Sequence, residues 1–175
     1  VPHARQELSL PEAIARAAHA YAQGRFDEVE AISTAILKAV PDHFDALHLL
    51  GVLRGRQGRL AEALNLLDKA TSRNNTSAQV WSNRGHVLYL QGRYPDAIVS
   101  CERALAIAPD TADALNNRGT ALHALGRHAD ALADYDRALA TNPGFAQALN
   151  NRGLALHRLD RLDEALVSYD QALTI

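Results

Sequence analysis

The stretch ALNNRG, Ala114 to Gly119, returns letter for letter as Ala148 to Gly153. The interval from Ala114 to Ala148 reaches beyond that stretch. Gly24, Gly58, Gly92 and Gly126 keep it, with Asp160 in the fifth place, and Gly51, Gly85, Gly119 and Gly153 keep it with Ala17 in the first. Pro109 and Pro143 share it, Pro41 stands two intervals before Pro109, and Asn75 fills the gap. Two alanine series, Ala63, Ala97, Ala131, Ala165 and Ala70, Ala104, Ala138, Ala172, run on the same period. Independent series on one period identify an array of small structural repeats, and this decides the fold ahead of any local propensity.

Each period reads as two helices. Leu115, Gly119 and Leu122 recur at helical spacing between Asp113 and Leu125, and Ala131, Leu132, Tyr135, Ala138 and Leu139 do so after Gly126. Gly126 is predicted to end the first helix in a left-handed turn, and Asn142-Pro143 to stop the second. A glycine inside a helix, as at Gly119, costs about 1 kcal/mol of propensity. It is expected to persist because the partner helix comes too close there for a side chain. Ser9 with Glu12 three residues on, and Pro11 between them, marks the first helix start as a capping box.

The third period carries the fullest pattern: Trp81, Gly85, Leu88, Gly92, Tyr94, Ala97, Cys101, Ala104 and Pro109. This resembles the tetratricopeptide repeat family. The resemblance implies an all-α fold, a right-handed α-solenoid of five helix-turn-helix repeats with the last repeat incomplete. First helices would line its concave face and second helices its convex one. Residues 1–9 would form an N-terminal segment and 10–175 the solenoid, in units of about 10–43, 44–77, 78–111, 112–145 and 146–175. Unit one departs from the pattern with Ala17, Val29 and Ile36, as an end unit would. Cys101 takes the place held by Tyr135 and Tyr169 and is expected to be packing filler. The fifth unit reaches Ile175 before its proline is due and with no polar cap over Leu166, Tyr169, Leu173 and Ile175. The expectation is a parent sequence that continues, and self-association through the uncapped C-terminal helix.

Composition narrows the function classes. The 175 residues are 47% apolar but only 5% aromatic, which suits many closely packed helices. A formal charge of −2 argues for neither nucleic acid nor an anionic membrane as partner, and there is no apolar run of transmembrane length. The single cysteine excludes an internal disulfide framework and leaves the compartment open, with the cytoplasm favoured. No nucleophile–base pair, phosphate loop or paired carboxylates stand out, so the chain is read as no enzyme and as needing no cofactor or metal.

Arg84, Arg118 and Arg152 precede the glycine in units three to five, a slot that is apolar in the family and holds Leu50 in unit two. Each has one acid before it and another after it at constant offsets. These are Asp68 and Glu102 for Arg84, Glu102 and Asp136 for Arg118, and Asp136 and Asp170 for Arg152. The expectation is a structural ladder of guanidinium forks between neighbouring helices.

Asn83, Asn117 and Asn151 lie two residues before the glycine, and Ala15 and Leu49 hold that slot in units one and two. The family resemblance places this slot on the concave groove. A side-chain amide donates and accepts together, so amides at a fixed interval can grip a peptide backbone whatever its sequence. The same amides are also suited to capping local backbone or facing water. The ladder resembles the one lining the tetratricopeptide superhelix of O-linked N-acetylglucosamine transferases. The wording NNRG-x-AL followed by YD-x-AL is similar to bacterial proteins of that broad group. By the same register Asn116, Asn150, His86, His123, His157, Tyr89, Thr120 and Arg158 are groove candidates. His123 and His157 are one repeat apart and lack a third ligand, so contact with peptide or water is expected of them rather than metal. The cationic clamp of the chaperone-binding branch has no counterpart, since Ile14, Ala18, Leu49, Gln79 and Asn83 occupy its places.

Two functions fit. The first is a protein-interaction scaffold that binds an extended peptide in the groove. The alternative is the substrate-recruiting arm of a larger glycosyltransferase, the present chain being its non-catalytic fragment. In either case alanine at Asn117 and Asn151 is expected to weaken binding and leave stability nearly unchanged. An RNA-binding helical repeat would want a basic groove, and Asp45 and Asp113 stand against Arg56 and Arg158.

Overall fold

The computed structural model describes residues 8–175; of the N-terminal segment expected over 1–9, residues 1–7 lie outside the described residues, His3 among them. The regular elements among the described residues are ten helices: α1 Leu10–Ala22, α2 Phe26–Ala39, α3 Phe44–Arg56, α4 Leu60–Arg73, α5 Ala78–Leu90, α6 Tyr94–Ile107, α7 Ala112–Ala124, α8 His128–Thr141, α9 Ala146–Arg158 and α10 Leu162–Leu173. They divide into two compact units, one ending at Asn75 and one spanning Thr76–Ile175.

In the first unit α1 packs on α2, α2 on α3 and α3 on α4. The capping residues at its start behave as the sequence predicts: the Ser9 backbone N–H and Oγ both donate to Glu12 Oε2, at 2.8 and 2.6 Å. The core gathers Ala20, Val29, Leu50 and Leu53, with Tyr21 edge-on to Phe26 at 5.8 Å between ring centres. Arg54 is buried where the later repeats carry Leu88, Leu122 and Leu156. Glu30 compensates it with a two-pronged pair at 2.6 and 2.7 Å, and these bonds from Arg54, then that from Gln57, hold the Glu30 carboxyl down to about 2.

The second unit repeats one packing rule three times. Each first helix (α5, α7, α9) lies against its own second helix (α6, α8, α10), and α7 touches both α5 and α9. The in-helix glycines explain how closely each pair approaches. A Cβ on Gly85 would fall 2.5 Å from Cys101 Sγ, one on Gly119 2.7 Å from the Tyr135 ring, and one on Gly153 against the ring of Tyr169. Cys101 is therefore packing filler, fully buried, with burial pushing its thiol up to about 12. The turns hold as expected at Gly126, with φ of 76°, while Asp160 adopts the same left-handed backbone in the fifth repeat, with φ of 61°. The core runs through the unit in layers, one with Leu105, Leu115, Ala138 and Ala148, another with Leu122, Leu132, Tyr135 and Leu156.

Candidate functional site

The arginine slot is structural, and its partners are the expected ones only in part. Arg118 grips Asp134 through two parallel bonds, Nε to Oδ2 at 2.7 Å and Nη2 to Oδ1 at 2.6 Å. Arg84 and Arg152 donate to Ser100 Oγ and Ser168 Oγ, each at 2.6 Å. Ser100, Asp134 and Ser168 form a series on the repeat period, each on the second helix of the arginine's own repeat. Of the acids expected on the earlier side, Asp136 does meet Arg152 at 2.6 Å. On the later side, Asp136 makes no ion pair with Arg118, nor Asp170 with Arg152, among the described residues. Helix pairing sets these partners, because the same step along the chain that brings Gly119 onto Tyr135 also brings Arg118 onto Asp134.

The amides sit on the first helices as a row. Asn83, Asn117 and Asn151 are all half-buried, on α5, α7 and α9. Asn117 Nδ2 donates back to α5, to Ser82 Oγ at 3.1 Å, and Asn151 Nδ2 donates back to α7, to Asn116 Oδ1 at 3.0 Å. These two amides thus tie neighbouring repeats together, and the expectation that replacing them leaves folding untouched is revised. Their Oδ1 atoms accept nothing from the described residues and are not buried. Donation through Nδ2 fixes each amide plane and leaves the oxygen as an oriented acceptor.

The remaining candidates scatter. Asn116, expected in the groove, is only 2% exposed, because one step along the helix turns it between α7 and α9, where it receives Asn151. Thr120 donates to the Asn116 carbonyl at 2.7 Å. Tyr89 packs its ring on Tyr94, with centres 5.6 Å apart. His123 turns to His128, with ring centres 4.5 Å apart and the two Nδ1 atoms at 3.2 Å, and not to its repeat equivalent. Desolvation, then His128 and Arg158, lowers the His123 pKa. Asn150, His86, His157 and Arg158 are exposed. Among the described residues no three of His, Cys, Asp and Glu gather as a metal site, and no helix is long and apolar enough to cross a membrane. A groove of about 860 Å³, lined by Leu139, Leu149, Arg152, Val167 and Ile175 among others, includes none of the expected binding residues.

Sequence register missed Ser82, Ser100, Asp134 and Ser168. The signal was present, since Ser82, Asn116 and Asn150 occupy one slot of the repeat and Ser100, Asp134 and Ser168 another.

Three family models, each described as tetratricopeptide repeat, match residues 20–86, 76–143 and 116–175. The chain belongs to the tetratricopeptide repeat family, and its all-α fold is that family's solenoid class. Among solved structures, MamA is 26% identical, with a TM-score of 0.75 over 96% of this chain and 95% of that one. TTC0263, a thermophilic TPR protein of Thermus thermophilus, is 24% identical with a TM-score of 0.80, over 95% of this chain and 91% of that one. YrrB, described as a TPR protein with an unusual peptide-binding site, is 20% identical with a TM-score of 0.69, over 97% and 87%. No curated protein sequence matches the chain.

Proposed function

We propose that the chain is a protein-interaction scaffold that holds an extended peptide along the first helices α5, α7 and α9, with Asn83, Asn117 and Asn151 as its regular contacts. The observation that carries this is the state of the amides at Asn117 and Asn151. Each is locked by donation to the preceding repeat, while its Oδ1 accepts nothing from the described residues and is not buried. An oxygen fixed in advance pairs with a peptide N–H at lower ordering cost than a free side chain. Backbone N–H groups recur along an extended chain irrespective of sequence, so the row favours shape over side-chain identity. Asn150, His86, His157 and Arg158 add exposed polar groups for side-chain contacts. The description of YrrB as a peptide-binding TPR protein is in keeping with this reading.

The test is a random peptide library selected on the protein. Selected peptides should bind in extended form, and Asn117→Ala and Asn151→Ala should each weaken them by about 0.5–1.5 kcal/mol. The control is Ser168→Ala, which removes an internal bond from Arg152 without removing an amide. Equal weakening by the control, or none by the asparagine variants, sinks the reading.

A further inference from the structure

We infer that the cleft between α6 and α8 is a socket for an arginine side chain presented by a partner protein. The cleft has a volume of about 330 Å³ and lies inside the second unit. Ile98 and Glu102 line it from α6, Arg118 and Leu122 from α7, and Ala133 and Asp134 from α8. Two departures of the fourth repeat meet here. Asp134 stands where the repeats on either side carry Ser100 and Ser168, and Ala133 where they carry Val99 and Val167. The first departure is electrostatic. In the fifth repeat Arg152 donates to its own Ser168 and also reaches back to Asp136 on α8, at 2.6 Å each. Arg118 instead commits both of its prongs to Asp134. Glu102, which holds the place of Asp136 one repeat earlier, is therefore left exposed, with no ion pair among the described residues. The second departure is steric, since alanine in place of valine removes two methyl groups from the lining of the same cleft.

The charges around the cleft select a cation. Arg118 is held by Asp134, Arg127 pairs with Asp130 at 2.7 Å, and Arg137 donates to the Pro109 carbonyl at 3.0 Å. An anionic ligand would meet arginines that are already engaged, whereas the Glu102 carboxylate is open. An arginine side chain supplies both halves of the match. Its planar fork fits a carboxylate, and its methylene stem can lie along Ile98, Leu122 and Ala133. The fold itself contains this pairing one repeat on, where Arg152 meets Asp136. A space of this size takes one side chain and not a helix, so the occupant is a single arginine on a partner's surface segment. None of the cleft's residues is among the proposed peptide contacts, and the two sites are independent.

The probe is a random displayed peptide library, selected on the intact protein and counter-selected on its Glu102→Gln variant. Survivors are expected to share an arginine. Made synthetically, they should bind saturably and move the backbone NMR signals of Ile98, Glu102 and Ala133. Citrulline, which has nearly the shape of arginine without its charge, should weaken them about fivefold when it replaces that residue. Ala133→Val, which refills the cleft with the residue of the neighbouring repeats, should weaken them by at least as much. Circular dichroism melts confirm that each variant is folded. Five results would each overturn the proposal: no survivors, survivors without a shared arginine, signal changes centred on Asn117 and Asn151, butylguanidine binding as tightly as the peptides, or light scattering showing a dimer that Glu102→Gln dissolves.

Discussion

Arg118 and Asp134 form a two-pronged ion pair across the α7–α8 contact, with Asp134 only 5% exposed at its side chain and Arg118 22%. Removing one partner of such a pair leaves the other charged and poorly hydrated, at a cost of about 3–5 kcal/mol when burial is deep. Arg118→Ala should therefore lower thermal stability sharply, and Arg118→Leu alone should recover little, because Asp134 stays stranded. Adding Asp134→Ser, the residue its repeat equivalents Ser100 and Ser168 already use, should restore most of the loss. Thermal and urea melts of the three variants decide it. Equal melts for Arg118→Leu with and without the serine would show that Asp134 is well hydrated.

The glycine series should grade with the space beside it. Alanine gains about 1 kcal/mol of helix propensity over glycine, but overpacking typically costs about 1–3 kcal/mol. At Gly51 the new Cβ meets Cγ of the aliphatic Leu67 side chain at 3.0 Å, while at Gly119 it meets the rigid Tyr135 ring at 2.7 Å. Gly51→Ala should be close to neutral and Gly119→Ala clearly destabilising, with Tyr135→Leu relieving part of the second. Equal effects at the two sites would mean that the ring shifts freely.

Asp160 repeats the turn of Gly126 with a side chain that the left-handed backbone disfavours. Asp160→Gly should stabilise the last repeat by up to about 1 kcal/mol, seen as a raised melting temperature. The substitution Gly126→Asp should cost a similar amount. A neutral Asp160→Gly would indicate that the aspartate's own polar contacts offset the strain.

Ser33 lies fully buried where the later repeats carry Cys101, Tyr135 and Tyr169 in the same slot, and its Oγ has no hydrogen-bond partner among the described residues. An unsatisfied buried hydroxyl costs about 1–3 kcal/mol. Ser33→Ala should thus be neutral or stabilising, an unusual outcome for a core truncation. A loss above about 1 kcal/mol would point to a bound water satisfying the hydroxyl.

These residues also mark where the sequence is legible. The repeat, the helix pairs, the left-handed glycines and the close approach at Gly119 all follow from positions spaced by one period, because each repeat solves the same packing problem. The partner of Arg118 does not, since Glu102, Asp134 and Asp136 are all on offer along the chain and only the side-by-side geometry of α7 and α8 selects Asp134. Asn116 and Asn117 are neighbours in sequence, yet about 100° of helical rotation buries one and leaves the other half-open. His123 meets His128 across a turn within one repeat, so the repeat period carries no trace of that contact.

That histidine pair predicts a pH dependence. The Nδ1 atoms lie 3.2 Å apart, so one ring must donate and the other accept, which fails once both are protonated. Desolvation is the first cause that lowers the His123 pKa below its ordinary 6.5, followed by the charges of His128 and Arg158. The folded state therefore prefers the neutral ring more than the unfolded chain does. Its contribution to stability is complete above 6.5 and is lost as pH falls through the lowered folded value. Unfolding free energy should decline on the acid side of 6.5, and His123→Gln should flatten that decline. NMR titration of His123 should show its pKa rising part of the way back in His128→Gln, since desolvation remains. A His123 titration unmoved by that change would assign the shift to burial alone and leave the pair without a role in the acid response.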